Sequence, residues 1–539
     1  MKHRMSKESK NPKTQKAAIL ILAAVMTVSI AALVLTGLYY SSTLSFPAGE
    51  LSGGNTAQQK KKTGIRPYQN ASEIAVYDET GRAFPLSALG GKPAALVFWA
   101  SWCPKCVTEL DLIDHLSEIA GQEGANLTLI NKTDGERETV ESARDFLAEN
   151  GIKTAALYDN GLVAYETLGL SRVPTCVTID AEGRVTGYAE GAGLTENVLR
   201  SMLKEAGIGK ASALYRIIQE RLLGEDGGIR TNYQDGDSSA VPAGGDVLSE
   251  SQGFMMLAAV AEDDRALFDR LWSWVKLNTA GGGLSAWVTT RDGPSPVNAA
   301  IDDLRIYLAL CRAEERWGGY ASDCAALAHG LYQYNTVDGK LADFYDFSLG
   351  LSARRLTLCY ADFEGMTRLA RVDSRWQTIS NNSLALVKAG RISRDFPLYH
   401  SYYNYDDNSY HSDTLNISEA LVTLLHLSRA GELPAEALGW LRERMAEGVL
   451  YAGYKTDGSP ALEGRFESSA VYALCALVAL SEKDMELAGQ AISHLEKLRI
   501  RDASSELDGI FGNGDGSGIY SFDQLAALLA YQEMEKAVR

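Results

Sequence analysis

Apolar and polar positions divide the chain into three regimes. In the first, Ala17–Tyr40 (AAILILAAVMTVSIAALVLTGLYY) is 24 residues without a charge. About 20 apolar residues cross a hydrocarbon layer as a helix, so this run predicts a transmembrane helix. In the second, residues 66–209, short apolar runs alternate with segments of helical spacing. Leu96–Trp99, Asn126–Ile130 and Cys176–Ile179 read as strands, and Cys106–Ile119, Glu138–Glu149 and Glu196–Ala206 as helices. That alternation implies an α/β sheet. In the third, residues 210–539, helix-period segments follow one another and strand-like alternation is scarce. They are Ser212–Leu223, Glu250–Ala261, Ala266–Leu277, Ala300–Arg316, Ser322–Gln333, Ser383–Lys388, Ser418–Arg429, Ala435–Ala446, Ser468–Leu480, Glu486–Leu498 and Ser521–Glu535. Helices recurring at roughly 27–30 residues predict an all-α toroid rather than a four-helix bundle.

Charge sharpens this layout. The chain of 539 residues has a net charge of −17, yet residues 1–16 hold six basic side chains and one acid. A basic tail before an apolar span keeps the N-terminus cytoplasmic, with Tyr39 and Tyr40 at the interface. A cleaved signal peptide is the competing reading, but its apolar core is usually about 7–15 residues with a small-residue cleavage site, and neither fits here. The expected localisation is the cell membrane, single-pass, with most of the chain extracytoplasmic. Residues 41–65 are polar and rich in Gly and Ser, a flexible linker. The folded remainder is strongly acidic, which excludes nucleic acid as a partner.

The second regime carries a cysteine pair, Trp102-Cys103-Pro104-Lys105-Cys106, between a strand and a helix. A cysteine at a helix start faces free backbone N–H groups and the positive end of the dipole, which favour thiolate. A second cysteine three residues on can resolve a mixed disulfide. Zinc would want a second Cys/His pair, and only His115 and an isolated Cys176 are near in sequence. No metal or cofactor is expected.

The stretch AVYDETGRAFPLSALGGKPAALVFWASWCPKC, with Arg172-Val173-Pro174-Thr175 further on, resembles the membrane-anchored thioredoxin-like family of TlpA/ResA type. The resemblance implies a thioredoxin-like fold, Cys103 as attacking thiolate and Cys106 as resolving thiol. It also implies Pro174 as a cis-proline shaping substrate docking, with protein thiols or disulfides and a membrane redox donor as partners. Cys176 departs from the family's apolar strand residue and reads as a buried small hydrophobe.

In the helical regime Ser249 and Gln252 bracket Glu250 and fit a capping box. Asp302-Asp303 opens another helix and Glu467 precedes a third, as dipole compensation also predicts. Loop aromatics suited to sugar stacking are plentiful: Trp287, Tyr345, Tyr399, Tyr402, Tyr403, Tyr405, Tyr410 and Tyr454. Acids and aromatics without a metal suit glycoside hydrolysis by paired carboxylates.

The runs VLSESQGFMMLAAVAEDDRALFDRLWSWVKLN, LSAW and AAIDDLRIYLALCRAEERW resemble glycoside hydrolase family 8. The resemblance implies an inverting (α/α)6 barrel, a six-hairpin toroid, acting on a β-linked polysaccharide of β-glucan type. It implies Glu250 as general acid, Asp302 and Asp303 as substrate-binding residues and Glu467 as candidate base; of the loop aromatics, Trp287 and Tyr345 are the expected substrate-binding residues. Ile301 stands where the family has its first Asp, and Ser251 where it has Gly. Two other organisations fit the same residues: an inactive glycan-binding helical domain that localises the redox domain, or a hydrolase with a merely structural thioredoxin-like domain. Asp508–Ser517 lacks calcium-loop spacing and reads as a turn. Cys311, Cys324, Cys359 and Cys475 read as buried free thiols.

Overall fold

Six consecutive buried residues, Ala94–Trp99, form an interior strand of a seven-stranded sheet. The computed structural model describes residues 64–539 except 90, 192, 235–243 and 413. The expected span Ala17–Tyr40, the basic tail and nearly all of the linker lie outside the described residues. Among the described residues, no helix is long and apolar enough to cross a membrane.

The chain forms two compact units. One takes the described residues up to Leu223 together with Leu427–Ala452 and Glu467–Arg539. The other takes Gly224–His426 and Gly453–Phe466. This division differs from the boundary expected at residues 209 and 210, because Lys210–Leu223 and the C-terminal helices pack with the α/β fold.

In the α/β part, β1 (Ala75–Tyr77), β2 (Ala83–Pro85), β3 (Ala94–Trp99), β4 (Asn126–Asn131), β5 (Ala156–Tyr158), β6 (Thr175–Ile179) and β7 (Val185–Glu190) are ordered β2-β1-β5-β4-β3-β6-β7. β3 runs parallel to β4 and antiparallel to β6. A strand buried on both faces needs apolar side chains throughout, and AALVFW supplies them. One face is covered by α1 (Pro104–Leu110), α2 (Ile113–Gln122), α3 (Val140–Glu149) and, after the short α4 (Val163–Thr167), α5 (Glu196–Ile208). The helix expected over Cys106–Ile119 is two helices. A turn at Asp111–Leu112 exposes Leu112 while Leu110 and Ile113 both stay in the core. α3 starts with a reciprocal Thr139/Ser142 capping box, which satisfies free N–H groups of the first turn.

The same unit continues into α6 (Lys210–Arg221). The second unit follows with α7 (Ser249–Ala261), α8 (Arg265–Leu277), α9 (Ala300–Trp317), α10 (Ala321–Tyr334), α11 (Phe363–Val372), α12 (Arg375–Ala389) and most of α13 (Ile417–Arg429). α14 (Ala435–Glu447), α15 (Ser469–Ser481), α16 (Met485–Lys497) and α17 (Ser521–Val538) return to the first unit. Helices buried nearly all round alternate with amphipathic ones. α7 and α9 belong to the first kind, α8 to the second. That is the pattern of hairpins with one inward and one outward helix. α11 has no counterpart among the sequence-predicted helices; the other eleven predicted segments match to within a few residues, save α12, which starts eight residues earlier.

In the first unit α6, α16 and α17 meet α5 through buried charges. Lys210 Nζ lies 2.8 Å from Glu205 and 2.9 Å from Glu496. Arg499 reaches Glu205 at 2.8 Å, Arg501 pairs with both acids, and the Tyr531 hydroxyl donates to Glu496. Burial alone would raise Glu205, but Arg499, Arg501 and Lys210 overcome it and hold the carboxyl below the usual range.

Candidate functional site

Two sites are built, one in each unit. In the first, Cys103 is the N-cap of α1. Its sulfur accepts the Cys106 N–H at 3.3 Å and lies 3.5 Å from the Val173 carbonyl oxygen. Pro104 fills the first helical position, where a missing N–H costs nothing. The Val173–Pro174 peptide is cis. Both sulfurs are buried, Cys103 at 6% exposure and Cys106 at 1%. Burial, then the Cys103 hydrogen bond, raises the Cys106 thiol. The pair is thus asymmetric: one sulfur accepts helix N–H, while the other is held as a neutral thiol.

Glu109, two turns along α1, was not singled out by sequence. Burial raises its carboxyl to about 7, and its charge bears on Cys106 and Cys176. Cys176 sits in β6 at 2% exposure, its thiol pushed up to about 12 by burial, as an inert small hydrophobe should be. Glu138 accepts from Ser101 and Asn131, fixing the backbone just before Trp102. The Trp102 indole faces the Arg137 guanidinium at 4.1 Å.

The second site is a group of carboxylates where helices begin. Glu250 is half-buried in the first turn of α7. Burial, then the Asp302 charge, raises it to about 7; Glu419 pushes the same way and Arg305 opposes. Asp302, in the first turn of α9, accepts the Ser249 hydroxyl at 2.6 Å and pairs with Arg305 at 2.9 Å. α7 and α9 approach closely at Gly253, where a β-carbon would sit 3.3 Å from Arg305 and Ile306. Glu419, in the first turn of α13, is also raised to about 7 by burial, with Arg355 opposing and Asp343 adding to the rise. Asp343 accepts from Arg355 and Thr357. Glu419 lines a cleft of about 210 Å³, including space open to solvent, with Cys359, Tyr399, His400 and Asn416.

Several sequence-predicted roles differ. The capping box does not form: Ser249 turns its hydroxyl to Asp302, and Gln252 bonds the Ile229 N–H and the Gly227 carbonyl. Asp303 is fully buried and holds Ser285 at 2.7 Å and Asn298 at 2.7 Å. Asn298 in turn accepts the Tyr345 N–H, so Asp303 supports the wall. Tyr345 packs tilted against Tyr334 and edge-on against Phe347, and the Trp287 carbonyl accepts from Ser249. Tyr399, Tyr405 and Tyr454 are buried and present no sugar platform; Tyr402, Tyr403 and Tyr410 are half-exposed on a hairpin. Glu467 belongs to the other unit, where it is exposed and accepts the Tyr472 hydroxyl.

Residues 66–203 match the family Redoxin, and residues 222–339 match Glycosyl hydrolases family 8. The chain is 26% identical over 363 residues to the putative lipoprotein YdaJ of Bacillus subtilis, covering 65% of this chain and 94% of that protein. It is 27% identical over 137 residues to the thiol-disulfide oxidoreductase ResA of Bacillus thuringiensis, covering 25% of this chain and 76% of ResA. A solved structure described as a novel alpha-amylase from Clostridium perfringens is 33% identical with a TM-score of 0.56, covering 60% of this chain and 97% of that one.

The chain joins a redoxin domain to a family 8 glycosyl hydrolase domain. The thioredoxin-like α/β fold and the helical (α/α)6-like fold expected from sequence both stand. By family the chain is an enzyme of two classes, thiol–disulfide oxidoreductase and glycosidase. The family 8 match spans Glu250, Asp302 and Asp303 and stops short of Asp343, Glu419 and Glu467.

Proposed function

We propose that this is a membrane-anchored, extracytoplasmic enzyme with two active centres. In the redoxin domain Cys103 attacks a partner's disulfide and Cys106 resolves the mixed disulfide, with Glu109 beside it to take the Cys106 proton. Pro174 borders the surface where the partner docks. In the family 8 domain Glu250 protonates the leaving oxygen of a polysaccharide. A second carboxylate activates water on the opposite face of the sugar, giving inversion. Glu419 fills that second role better than Glu467, because its charge bears on Glu250. Asp302, Trp287 and Tyr345 shape the sugar subsites. The charge-free run 17–40 anchors the chain.

The observation that carries the hydrolase reading is the raised Glu250 carboxyl at the mouth of a buried helix, close to two further acids. A general acid has to hold its proton near working pH, and burial beside negative charge achieves that. The family resemblance supports a β-linked polysaccharide of β-glucan type as the substrate. An α-linked glucan is the second reading, favoured by the likeness to the Clostridium perfringens alpha-amylase. The test is release of reducing ends by the full chain from soluble β-1,4-glucan and from amylose, against Glu250→Gln, with the product anomer read by NMR. Inverted product from one polymer, lost in the variant, supports the reading; no release from either polymer refutes hydrolysis.

A further inference from the structure

The cleft beside Glu419 holds two polar side chains that the carboxylate chemistry leaves unused, His400 and Asn416. Both belong to the same unit as Glu419. His400 is held in three ways. Its backbone N–H donates to the Gly390 carbonyl at 2.9 Å, just past α12. Its ring stacks on Tyr410, with centroids 5.6 Å apart and planes at 21°. Tyr410 is itself fastened, its hydroxyl donating to the Leu386 carbonyl at 2.7 Å. Gly390 permits that packing, since a β-carbon there would lie 2.8 Å from the Tyr410 ring. The third hold is Nδ1, 3.0 Å from the Ser412 hydroxyl oxygen.

Ser412 fixes which imidazole nitrogen carries the proton. Its hydroxyl oxygen lies 2.7 Å from the His411 carbonyl oxygen, and two oxygens so close need the single hydroxyl hydrogen between them. With that hydrogen committed, Ser412 accepts from the Ser401 N–H at 2.9 Å and from the His400 Nδ1–H. Burial, then the His411 charge, lowers the imidazole pKa and favours the neutral ring. Nε2 is therefore an acceptor. The same reasoning orients Asn416, the residue ahead of α13. Its Oδ1 accepts the Ser418 N–H at 2.9 Å, which leaves Nδ2 as a donor. Among the described residues, neither Nε2 of His400 nor Nδ2 of Asn416 has a partner. Cys359, Leu415 and Ala420 add apolar lining to the same cleft.

A held acceptor, a donor of fixed sense and apolar surface in one cleft suit a pyranose, whose hydroxyls both donate and accept while its C–H faces are apolar. We propose that this cleft is a sugar subsite in which His400 Nε2 accepts from one ring hydroxyl and Asn416 Nδ2 donates to another. The assignment rests on the reading of Glu250 and Glu419 as a hydrolytic pair. It gives both residues a share in choosing the sugar, because a sugar lacking either hydroxyl leaves a polar group of the protein unpaired. Both bonds are made to bound substrate and to transition state alike, so they act on KM and not on kcat.

The experiment compares variants of the full chain. His400→Gln keeps a polar group at the reach of Nε2, whereas His400→Asn keeps the donor toward Ser412 and loses the far acceptor. Asn416→Ser keeps a helix cap and loses the amide donor. KM and kcat are measured on the glucan that the parent chain cleaves. Kd for cellohexaose and for maltohexaose is measured by calorimetry in the Glu250→Gln background. His400→Asn and Asn416→Ser should raise KM and Kd about 10-fold with kcat within about 3-fold, and His400→Gln should recover most of the loss. Unchanged KM and Kd in His400→Asn, or equal losses in the Asn and Gln variants, would overturn the subsite and leave hydrolysis standing. If no glucan is cleaved the hydrolytic pair falls, and hexasaccharide binding weakened by His400→Asn still supports the subsite. Binding of neither hexasaccharide overturns it.

Discussion

The Ser249 hydroxyl donates to the Asp302 carboxylate at 2.6 Å, one residue ahead of Glu250. The first turn of α7 is thereby fastened to the first turn of α9, and Asp302 keeps its charge facing Glu250. In Asp302→Asn that charge is gone while Arg305 remains, and its loss lowers the Glu250 carboxyl from about 7. The alkaline limb of kcat/KM should move to lower pH. An unmoved limb would mean that Asp302 does not tune the acid.

Glu419→Gln is expected to lower kcat on the glucan that the full chain cleaves by roughly 100-fold or more, the usual loss for a missing general base. Glu467→Gln should change kcat by less than about 3-fold, since that carboxylate lies exposed against Tyr472. The reverse ranking would return the base to Glu467.

Protonation of Glu250 also leaves a mark on stability. Its folded pKa is raised to about 7, so the neutral form is favoured in the native state. The stabilisation is fully present below the unfolded value, about 4.3, and is lost as pH rises through about 7. Glu250→Gln removes that loss. The Tm of the variant minus that of the parent chain should therefore increase from pH 5 to pH 8.

In the redoxin domain, Cys106→Ser should accumulate mixed disulfides through Cys103, visible as reducible adducts in membrane extracts. Glu109→Gln should leave Cys103 able to attack and slow the second step, seen as a longer-lived adduct. If Cys106→Ser yields no adducts, exchange chemistry is ruled out for this pair.

The buried charges make a further prediction. Lys210, at 1% side-chain exposure, neutralises Glu205 and Glu496. Removing one partner strands the others, so Lys210→Met should cost about 3–5 kcal/mol in urea denaturation. Glu205 and Glu496 are held below their usual range. Their contribution is present above the unfolded carboxylate pKa and is lost as pH falls through the lower folded values. Glu205→Gln should thus flatten the acid side of the stability curve.

Much of this architecture can be read along the chain because apolar periodicity is strong there: AALVFW and AVYALCALVAL allow few alternatives to burial. Strands of two or three residues are too short to show alternation, so β1, β5 and the hairpin carrying Tyr402 do not emerge. α11 has Gly365 in its first turn and only ten residues. Within the site, Ser249 and Gln252 have capping-box spacing, and spacing alone does not distinguish a capping hydroxyl from one turned to a neighbouring helix. Glu419 looks like any first-turn acid answering a helix dipole. Its distinction is burial beside Asp343 and Arg355, which only the fold creates. Conversely Tyr399, Tyr405 and Tyr454 lie in loop-like sequence and read as platforms, whereas the Tyr405 hydroxyl donates to the Leu341 carbonyl from inside the core.

Glu205 lies in the redoxin part of the chain, and Arg501, one of its counter-charges, arrives 296 residues later. The part made first thus finishes its interior only once the stretch around Arg501 has been synthesised and delivered. Truncation ahead of Arg501 would therefore injure a fold encoded 296 residues upstream.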